Sequence, residues 1–371
     1  MCCKFCYDVI DNGNDNGNDN TEMRLKTLRP TIKEVAAVAG VSTQTVSRVL
    51  NDRPDVSPET RTRVQEVIKE LNYRPSALAR SLISHRSHTL GVVTAGLDYM
   101  GPSRTLSGIA SAAEDAGYSM LLRELPSFDA EEIAPIFQAF LSRHVDGIIW
   151  AVAEVGENRK WINNPPTDIE VPLVFLTMEN RNNLSIVSID NYQGGRMAVS
   201  HLLEQGYRHI GHISGPLDWW EARQRKAGWN DVLTEASLEV GDKDWVEGDW
   251  SSESGALGFE RLFEQYTELD AIFIGNDQMA LGVIQSARQK GLRIPEELGL
   301  VGFDNIPESA YFCPPLTTIQ QDHYSLAKLA VEEMIKTIES IWDGAELDEP
   351  ANIVLPPTLV VRQSSLHPRC D

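Results

Sequence analysis

From residue 90 onward the chain alternates short apolar runs with amphipathic stretches of helix length, and this alternation restricts the possible folds most. LGVVTA (90–95) precedes Ser103–Gly117, and YSMLL (118–122) precedes Ala130–Ser142. DGIIW (146–150), PLVFL (172–176) and IVSID (186–190) lead to Tyr192–Gln205. The rhythm resumes with HIGHISG before Glu221–Ala236, AIFIG before Asp277–Lys290, and LGLVGF before Cys313-Pro314-Pro315. Buried strands alternating with helices predict parallel sheets covered by helices. About 280 residues are many for one sheet, so we expect two similar α/β lobes. In such folds ligands sit at the carboxyl ends of the strands, here around a shared cleft.

The segment before this has another texture. TIKEVAAVAG places Ile32, Val35, Ala36 and Ala39 on one helical face. Thr31 followed by Glu34 is a capping-box signature, and Gly40 supplies the turn that closes the helix. Ser42 caps a second helix, TQTVSRVLN, with Val46, Val49 and Leu50 facing inward. A third helix, Ser57–Leu71, opens on Ser57-Pro58-Glu59 and carries Val64, Val67, Ile68 and Leu71. The first two helices form a helix-turn-helix and the third completes a small core. On the outer face of the second helix, Gln44 suits adenine and Arg48 suits guanine in a major groove. Thr45, Ser47 and Asn51 are short polar residues that fix register on phosphates. A plain three-helix scaffold with a solvated face is the alternative.

Charge separates the same two regions. The whole chain carries −21, which taken as a total argues against a nucleic-acid partner. Residues 24–86, however, hold twelve basic and six acidic residues, whereas 87–371 hold 20 and 43. A small basic module joined to a large acidic one points to nucleic-acid contact in the basic part.

Other classes find little support. No apolar run reaches the ~18–20 residues of a membrane span, and no export signal opens the chain. Cys2, Cys3, Cys6, Cys313 and Cys370 form no zinc spacing, so we expect reduced thiols, a cytoplasmic location and no metal or other cofactor. P-loop, GxSxG and HExxH motifs are missing, and no catalytic residue is expected. DNGNDNGNDN (11–20) has nothing to bury. We expect residues 1–22 to be a disordered extension, with translation starting at Met23.

TIKEVAAVAGVSTQTVSRVLN, followed by VSPETRTRVQEVIKELNYRPSALARSL, closely resembles the DNA-binding headpiece of the lactose-repressor (LacI/GalR) family. The resemblance continues through GPLDWWEARQRKAGW, EGDW, GNDQMALG, LVGFDN and PPLTTIQQD, and covers roughly residues 30–362. It implies a headpiece (23–72), a hinge (73–87), and a two-lobed ligand-binding and dimerisation domain (88–362) built like a periplasmic binding protein. We expect the lobes to be 88–190 with 319–346 and 191–315 with 347–362, followed by a tail, 363–371.

The resemblance implies operator contacts from Thr31, Ser42, Thr43, Gln44, Thr45, Ser47, Arg48, Asn51 and Tyr73. Thr43 stands where some members have tyrosine. Within the hinge helix, Ser76, Ala79 and Leu82 would join them, Leu82 as a minor-groove wedge. Without the family, Leu82 is an apolar residue on a linker helix.

The implied ligand set is Pro102, Ser103, Thr177, Glu221, Arg225, Trp250, Asn276, Asp304 and His323. Pro102, Ser103 and Thr177 fall at expected strand ends. An Arg fork and a carboxylate suit adjacent hydroxyls, and a Trp face suits the C–H side of a sugar. Trp219 and Trp220 either join Trp250 or pack together; Trp229, His209 and His212 read as structural. The chain is expected to be a homodimeric, sugar-released repressor on a pseudo-palindromic operator. The alternatives are a nucleobase corepressor and a sugar-uptake protein.

Overall fold

The computed structural model describes residues 30–50, 52–73, 86–128, 132–163, 169–346 and 349–367. The 1–22 extension, Asn51, the hinge positions Ser76, Ala79 and Leu82, and residues 368–371 lie outside the described residues. The chain divides into two compact units, 1–80 and 81–371.

In the first unit, α1 (Ile32–Ala39), α2 (Thr43–Leu50) and α3 (Pro58–Glu70) form the helix-turn-helix and its support. The Thr31–Glu34 capping box starts α1, and Gly40, at φ 65°, ends it in the left-handed region that glycine tolerates. Ser42 accepts from the Thr45 amide at 3.1 Å and Ser57 from Thr60 at 3.3 Å, so each later helix is also capped. Val35, Ala36, Ala39, Val46, Val49, Val64 and Val67 make the core. Tyr73, expected among the operator contacts, packs into the same core and is buried.

The second unit contains, in chain order, β1 (Thr89–Ala95), α4 (Met100–Asp115), β2 (Ser119–Leu125), α5 (Ala134–Leu141), β3 (Gly147–Ala151), α6 (Gly156–Asn163), β4 (Leu173–Leu176) and β5 (Ser185–Ile189). It continues with α7 (Asn191–Gln205), β6 (Ile210–Ser214), α8 (Trp220–Glu235), β7 (Trp245–Glu247), α9 (Ser252–Gln265), β8 (Ala271–Ile274), α10 (Asp277–Gln289) and β9 (Gly299–Asp304). Then come β10 (Thr317–Gln320), α11 (His323–Trp342), β11 (Asn352–Leu355) and β12 (Thr358–Val360).

Among the described residues these strands build two six-stranded sheets, ordered β11-β5-β4-β3-β1-β2 and β12-β10-β9-β8-β6-β7. All pairings are parallel except β10–β12. Consecutive side chains leave a strand on opposite faces, so a parallel strand feeds two cores at once. Val92 and Ile149 join one cluster while Val93, Ile148 and Trp150 join the other. In the second lobe, Ile272 and Ile274 face away from Phe273 in the same manner.

Three chain crossings join the lobes: after β5, between β10 and α11, and between β11 and β12. This alters the expected lobe boundaries. β10 lies in the second sheet, although the sequence places 319–346 in the first lobe. β11 pairs with β5 in the first sheet, although the sequence places 347–362 in the second lobe. Pro356-Pro357 offers no N–H for a ladder, so it cuts the C-terminal run into two edge strands that go to different lobes. The expected tail also starts too early. Ser364 and Ser365 are fully buried in the second lobe, where Ser364 donates to the Leu300 carbonyl at 2.7 Å.

Candidate functional site

The exposed face of α2 is opposite Val46 and Val49. Thr43, Gln44 and Arg48 are exposed on it, and Thr45 and Ser47 are half-buried. Thr31 and Ser42 are also capping residues, with Ser42 Oγ 2.9 Å from Thr45 Oγ1 in the first turn of α2. Arg48 Nη1 lies 3.4 Å from the Asp55 carboxylate, both side chains about half exposed.

In the second unit, a cleft of about 810 Å³, its open mouth included, separates the lobes. Its walls come from the carboxyl ends of strands: Ala151–Ala153 after β3, Leu176 and Thr177 after β4, Asn276 after β8, Asp304 on β9 and Gln321 after β10. Thr177, Trp250 and Asp304 have φ of 54°, 75° and 105°, sparsely populated for residues with side chains. Strain of this kind, about 1–3 kcal/mol each, collects at binding sites because it aims side chains that a relaxed turn would not.

Eight of the nine expected ligand residues line this cleft. Ser103 does not. Pro102 and Ser103 are in the first turn of α4, not at a strand end, and the helix periodicity turns Ser103 to solvent. Gly101, Pro102 and Thr105 share the inward face instead. The residues that sequence reading missed include Tyr99, Phe128, Gln278 and Gln321. Tyr99 follows the end of β1, so the strand-end rule could have found it.

Arg225, on α8, is the cleft's buried cation. Its Nε donates to Asn191 Oδ1 at 2.8 Å and Nη1 to the Gly275 carbonyl at 2.5 Å. The guanidinium lies 3.7 Å over the Phe303 ring and 5.4 Å from the Trp250 ring. Asp304 Oδ1 is 3.8 Å away and accepts from Gln321 Nε2 at 2.6 Å. Among the described residues, Arg225 Nη2 and Asp304 Oδ2 carry no hydrogen bond. Burial disfavours both charges, raising the Asp304 pKa and lowering that of Arg225, while each charge supports the other.

Asn276 is more committed than its residue type suggests. It caps α10 by accepting from Met279 at 2.8 Å and donates to the Trp250 carbonyl at 3.0 Å, which fixes the Trp250 backbone. His323 Nδ1 sits 3.1 Å from Thr105 Oγ1, and burial takes its pKa down to about 4, so the ring is neutral. Glu221 is buried at the start of α8, and desolvation raises its pKa to about 7.

Four buried polar atoms of the cleft have no hydrogen-bond partner among the described residues: Glu221 Oε2, Trp250 Nε1, Gln278 Oε1 and His323 Nε2. An unpaired buried polar group costs about 1–3 kcal/mol. Four in one cleft therefore favour a ligand that both donates and accepts. Trp219 lines the cleft and Trp220 does not, which resolves that pair. Trp229 and His212 are core; His212 donates Nδ1–H to the Phe273 carbonyl at 2.8 Å. His209 is exposed beside Tyr266. Among the described residues no helix is long and apolar enough to cross a membrane, and no cluster of His, Cys, Asp and Glu is placed to hold a metal.

A helix-turn-helix unit and a two-lobed ligand domain on one chain define a ligand-responsive, DNA-binding transcriptional regulator. Residues 31–76 match the bacterial regulatory proteins of the lacI family, and 199–365 match the periplasmic binding protein-like domain. Catabolite control protein A of Priestia megaterium is 34% identical over 338 residues, 90% of this chain and 99% of that protein. A solved lac repressor dimer bound to operator and the anti-inducer ONPF matches at TM-score 0.78 and 31% identity, covering 91% of this chain and 99% of that one. A complex of the transcriptional regulator CelR with cellobiose matches at 0.67 and 28%, covering 91% and 100%. The chain belongs to the LacI family.

Proposed function

We propose that this regulator represses carbohydrate-use genes by binding a pseudo-palindromic operator as a homodimer, and that a sugar in the cleft releases it. The observation that carries the sugar reading is the set of four unpaired polar atoms beside Arg225 and Asp304. Hydroxyls both donate and accept, so a polyol satisfies acceptors such as Glu221 Oε2 and donors such as Trp250 Nε1 together. Trp250 and Trp219 supply apolar faces for the C–H side of a ring. Support also comes from a cellobiose complex and an operator-bound dimer among the structural relatives.

In the headpiece, Thr43, Gln44 and Arg48 would read base edges. Thr31, Ser42, Thr45 and Ser47 would set register on phosphates, helped by the free N–H groups at the start of α2. Sugar bridging the lobes would bias the equilibrium between two arrangements, by no more than its differential affinity for them.

The test is operator binding by the full chain, on a site selected in vitro, with and without mono- and disaccharides and purines. A sugar should weaken operator affinity about 5–150-fold. A complete lack of sugar response, or tightening by a purine, would overturn the proposal.

A further inference from the structure

At the end of β9 the chain turns through two consecutive left-handed residues, Asp304 at φ 105° and Asn305 at 50°, neither of them glycine. That region is sparsely populated for residues with a Cβ, so surrounding bonds must hold the turn. Asp277, the first residue of α10, is fully buried and supplies such bonds. Its Oδ2 accepts from the Ile306 amide at 2.9 Å. Its Oδ1 accepts from the Thr318 hydroxyl at 2.6 Å, and Thr318 Oγ1 in turn accepts from the Asn305 amide at 3.3 Å. Among the described residues neither oxygen bonds an amide of α10, the helix that Asn276 caps. A Cβ at Gly302 would lie 2.3 Å from Asp277 Oδ1, so β9 is bare where the carboxylate passes. Burial, with the Asp304 charge adding to it, raises the Asp277 pKa to about 7, so this carboxyl is kept inside at a cost.

The turn faces two ways. Asp304 presents its carboxylate to Arg225 and the cleft. One residue on, the Asn305 carbonyl lies 3.5 Å from Nη1 of Arg104, on α4 of the other lobe. The Asn305 side chain is tied to its own lobe by Arg362 Nη2 at 2.7 Å and by Gln320 Oε1 at 3.0 Å. We propose that Asp277 is a positioning residue for effector recognition. By fixing the Ile306 and Asn305 amides it aims the Asp304 carboxylate into the cleft and the Asn305 carbonyl at Arg104. It does not line the cleft, so it acts through the turn and touches no effector itself. The inference rests on the cleft as the effector site and not on the effector being a sugar. An acceptor already held in its binding geometry has less freedom to lose when an effector arrives. Because one turn carries both groups, pairing at Asp304 and the interlobe contact at Arg104 depend on the same bonds.

The experiment removes the bond between Asp277 and the turn without removing the carboxylate. Thr318→Val keeps the branched shape and deletes the hydroxyl, Thr318→Ser restores it, and Asp277→Asn is the direct variant. Full-length proteins are titrated calorimetrically with glucose, galactose, cellobiose, lactose, guanine and hypoxanthine. For a compound that binds the parent, Thr318→Val and Asp277→Asn should weaken affinity about tenfold, and Thr318→Ser should return it to within about twofold. Asp304→Asn should cost at least about tenfold in the parent but less than about threefold in Thr318→Val, because a carboxylate no longer aimed has little left to lose. Losses that simply multiply, or parental affinity in Thr318→Val, would overturn the inference and leave the carbohydrate reading standing. Hydrogen exchange of the same proteins needs no effector. Amides of 304–307 should exchange at least about tenfold faster in Thr318→Val, while β8 keeps its parental rate. Parental exchange at 304–307 would also overturn the inference, and it decides the matter if none of the compounds binds, a result that counts against the carbohydrate reading alone. Should Asp277→Asn fail to fold, the two Thr318 variants carry the test.

Discussion

Arg159 of the first lobe grips Asp218 of the second across the mouth of the cleft. Its Nη2 donates to the Asp218 carbonyl at 2.7 Å and to Oδ1 at 3.0 Å. The Gly156 amide, at the start of α6, donates to Oδ2 at 3.1 Å. Glu154, buried and also paired with Arg181, lies behind Arg159 and holds it in place. Asp218 directly precedes Trp219, so the same loop carries both an interlobe bridge and a cleft wall.

Asp218→Ala removes both carboxylate bonds but keeps the carbonyl one. Exposed ion pairs contribute about 0–1 kcal/mol, and this one is reinforced by a main-chain donor. Because the bridge exists only when the lobes meet, effector affinity should fall about three- to tenfold. The effect should shrink in 1 M salt, where the Debye length is about 3 Å. Titration of the variant at low and high salt checks this. An unchanged Kd would mean the bridge is indifferent to closure.

Glu221 gives a pH dependence with a definite sign. Burial raises its pKa from 4.5 to about 7, with Glu154 adding to the rise and Arg225 and Arg223 opposing it. Between those values the folded chain keeps a proton that the unfolded chain has released. Its contribution to stability is therefore fully present below about pH 4.5 and lost as pH rises through about 7. Glu221→Gln has no such dependence. Between pH 5 and pH 8 the variant should gain about 2 kcal/mol relative to the parent. Urea denaturation of both proteins at the two pH values measures the difference. Equal shifts at both would place the raised pKa elsewhere.

The strand–helix rhythm and the helix-turn-helix were legible because each is local: a run of apolar residues, a cap, a glycine. What escaped depends on tertiary assembly. β11 and β12 are four and three residues long, and no pattern within them announces which sheet they will join. α9 is helical although Gly255 and Gly258 lower its propensity and weaken its signal in the sequence. Gly255 is there because a Cβ would meet the Met279 carbonyl oxygen at 2.1 Å. α11 is different: Leu326, Ala330, Val331, Met334 and Ile338 repeat at helical spacing, and that signal was available. In the cleft, the strand-end positions carried Thr177, Asn276 and Asp304. Trp219 was open between cleft and packing. Tyr99 and Phe128, like Trp219, follow strand ends (β1, β2 and β6) where the rule points, but no spacing in the sequence brings the three rings together.

Gly215 is a packing constraint on the site. A Cβ there would lie 2.1 Å from the Trp250 ring, and a fixed backbone cannot move away as a flexible side chain could. Gly215→Ala should displace the indole, cost about 1–3 kcal/mol by overpacking, and change the tryptophan emission. Effector affinity should fall with it. Thermal unfolding and fluorescence spectra report both effects. A variant with parental melting and parental emission would show that the ring has room to shift.

Arg48 is paired with Asp55 when the headpiece is free, yet both side chains remain about half exposed. Such a pair is worth little, about 0–1 kcal/mol, so exchanging it for a guanine edge is inexpensive. Arg48→Ala should weaken binding to the selected operator by about 1–3 kcal/mol and relax preference at one position. Binding to unrelated DNA should change much less, because phosphate contacts supply most of it. Arg48→Lys keeps the charge without the planar fork, so it should recover the salt dependence but not the sequence preference. Asp55→Ala removes the competing partner and should leave operator affinity equal or slightly improved. Anisotropy titrations on operator and scrambled duplexes at two salt concentrations separate these outcomes. Equal losses on both duplexes would make Arg48 a phosphate contact and leave Gln44 and Thr43 to read the bases.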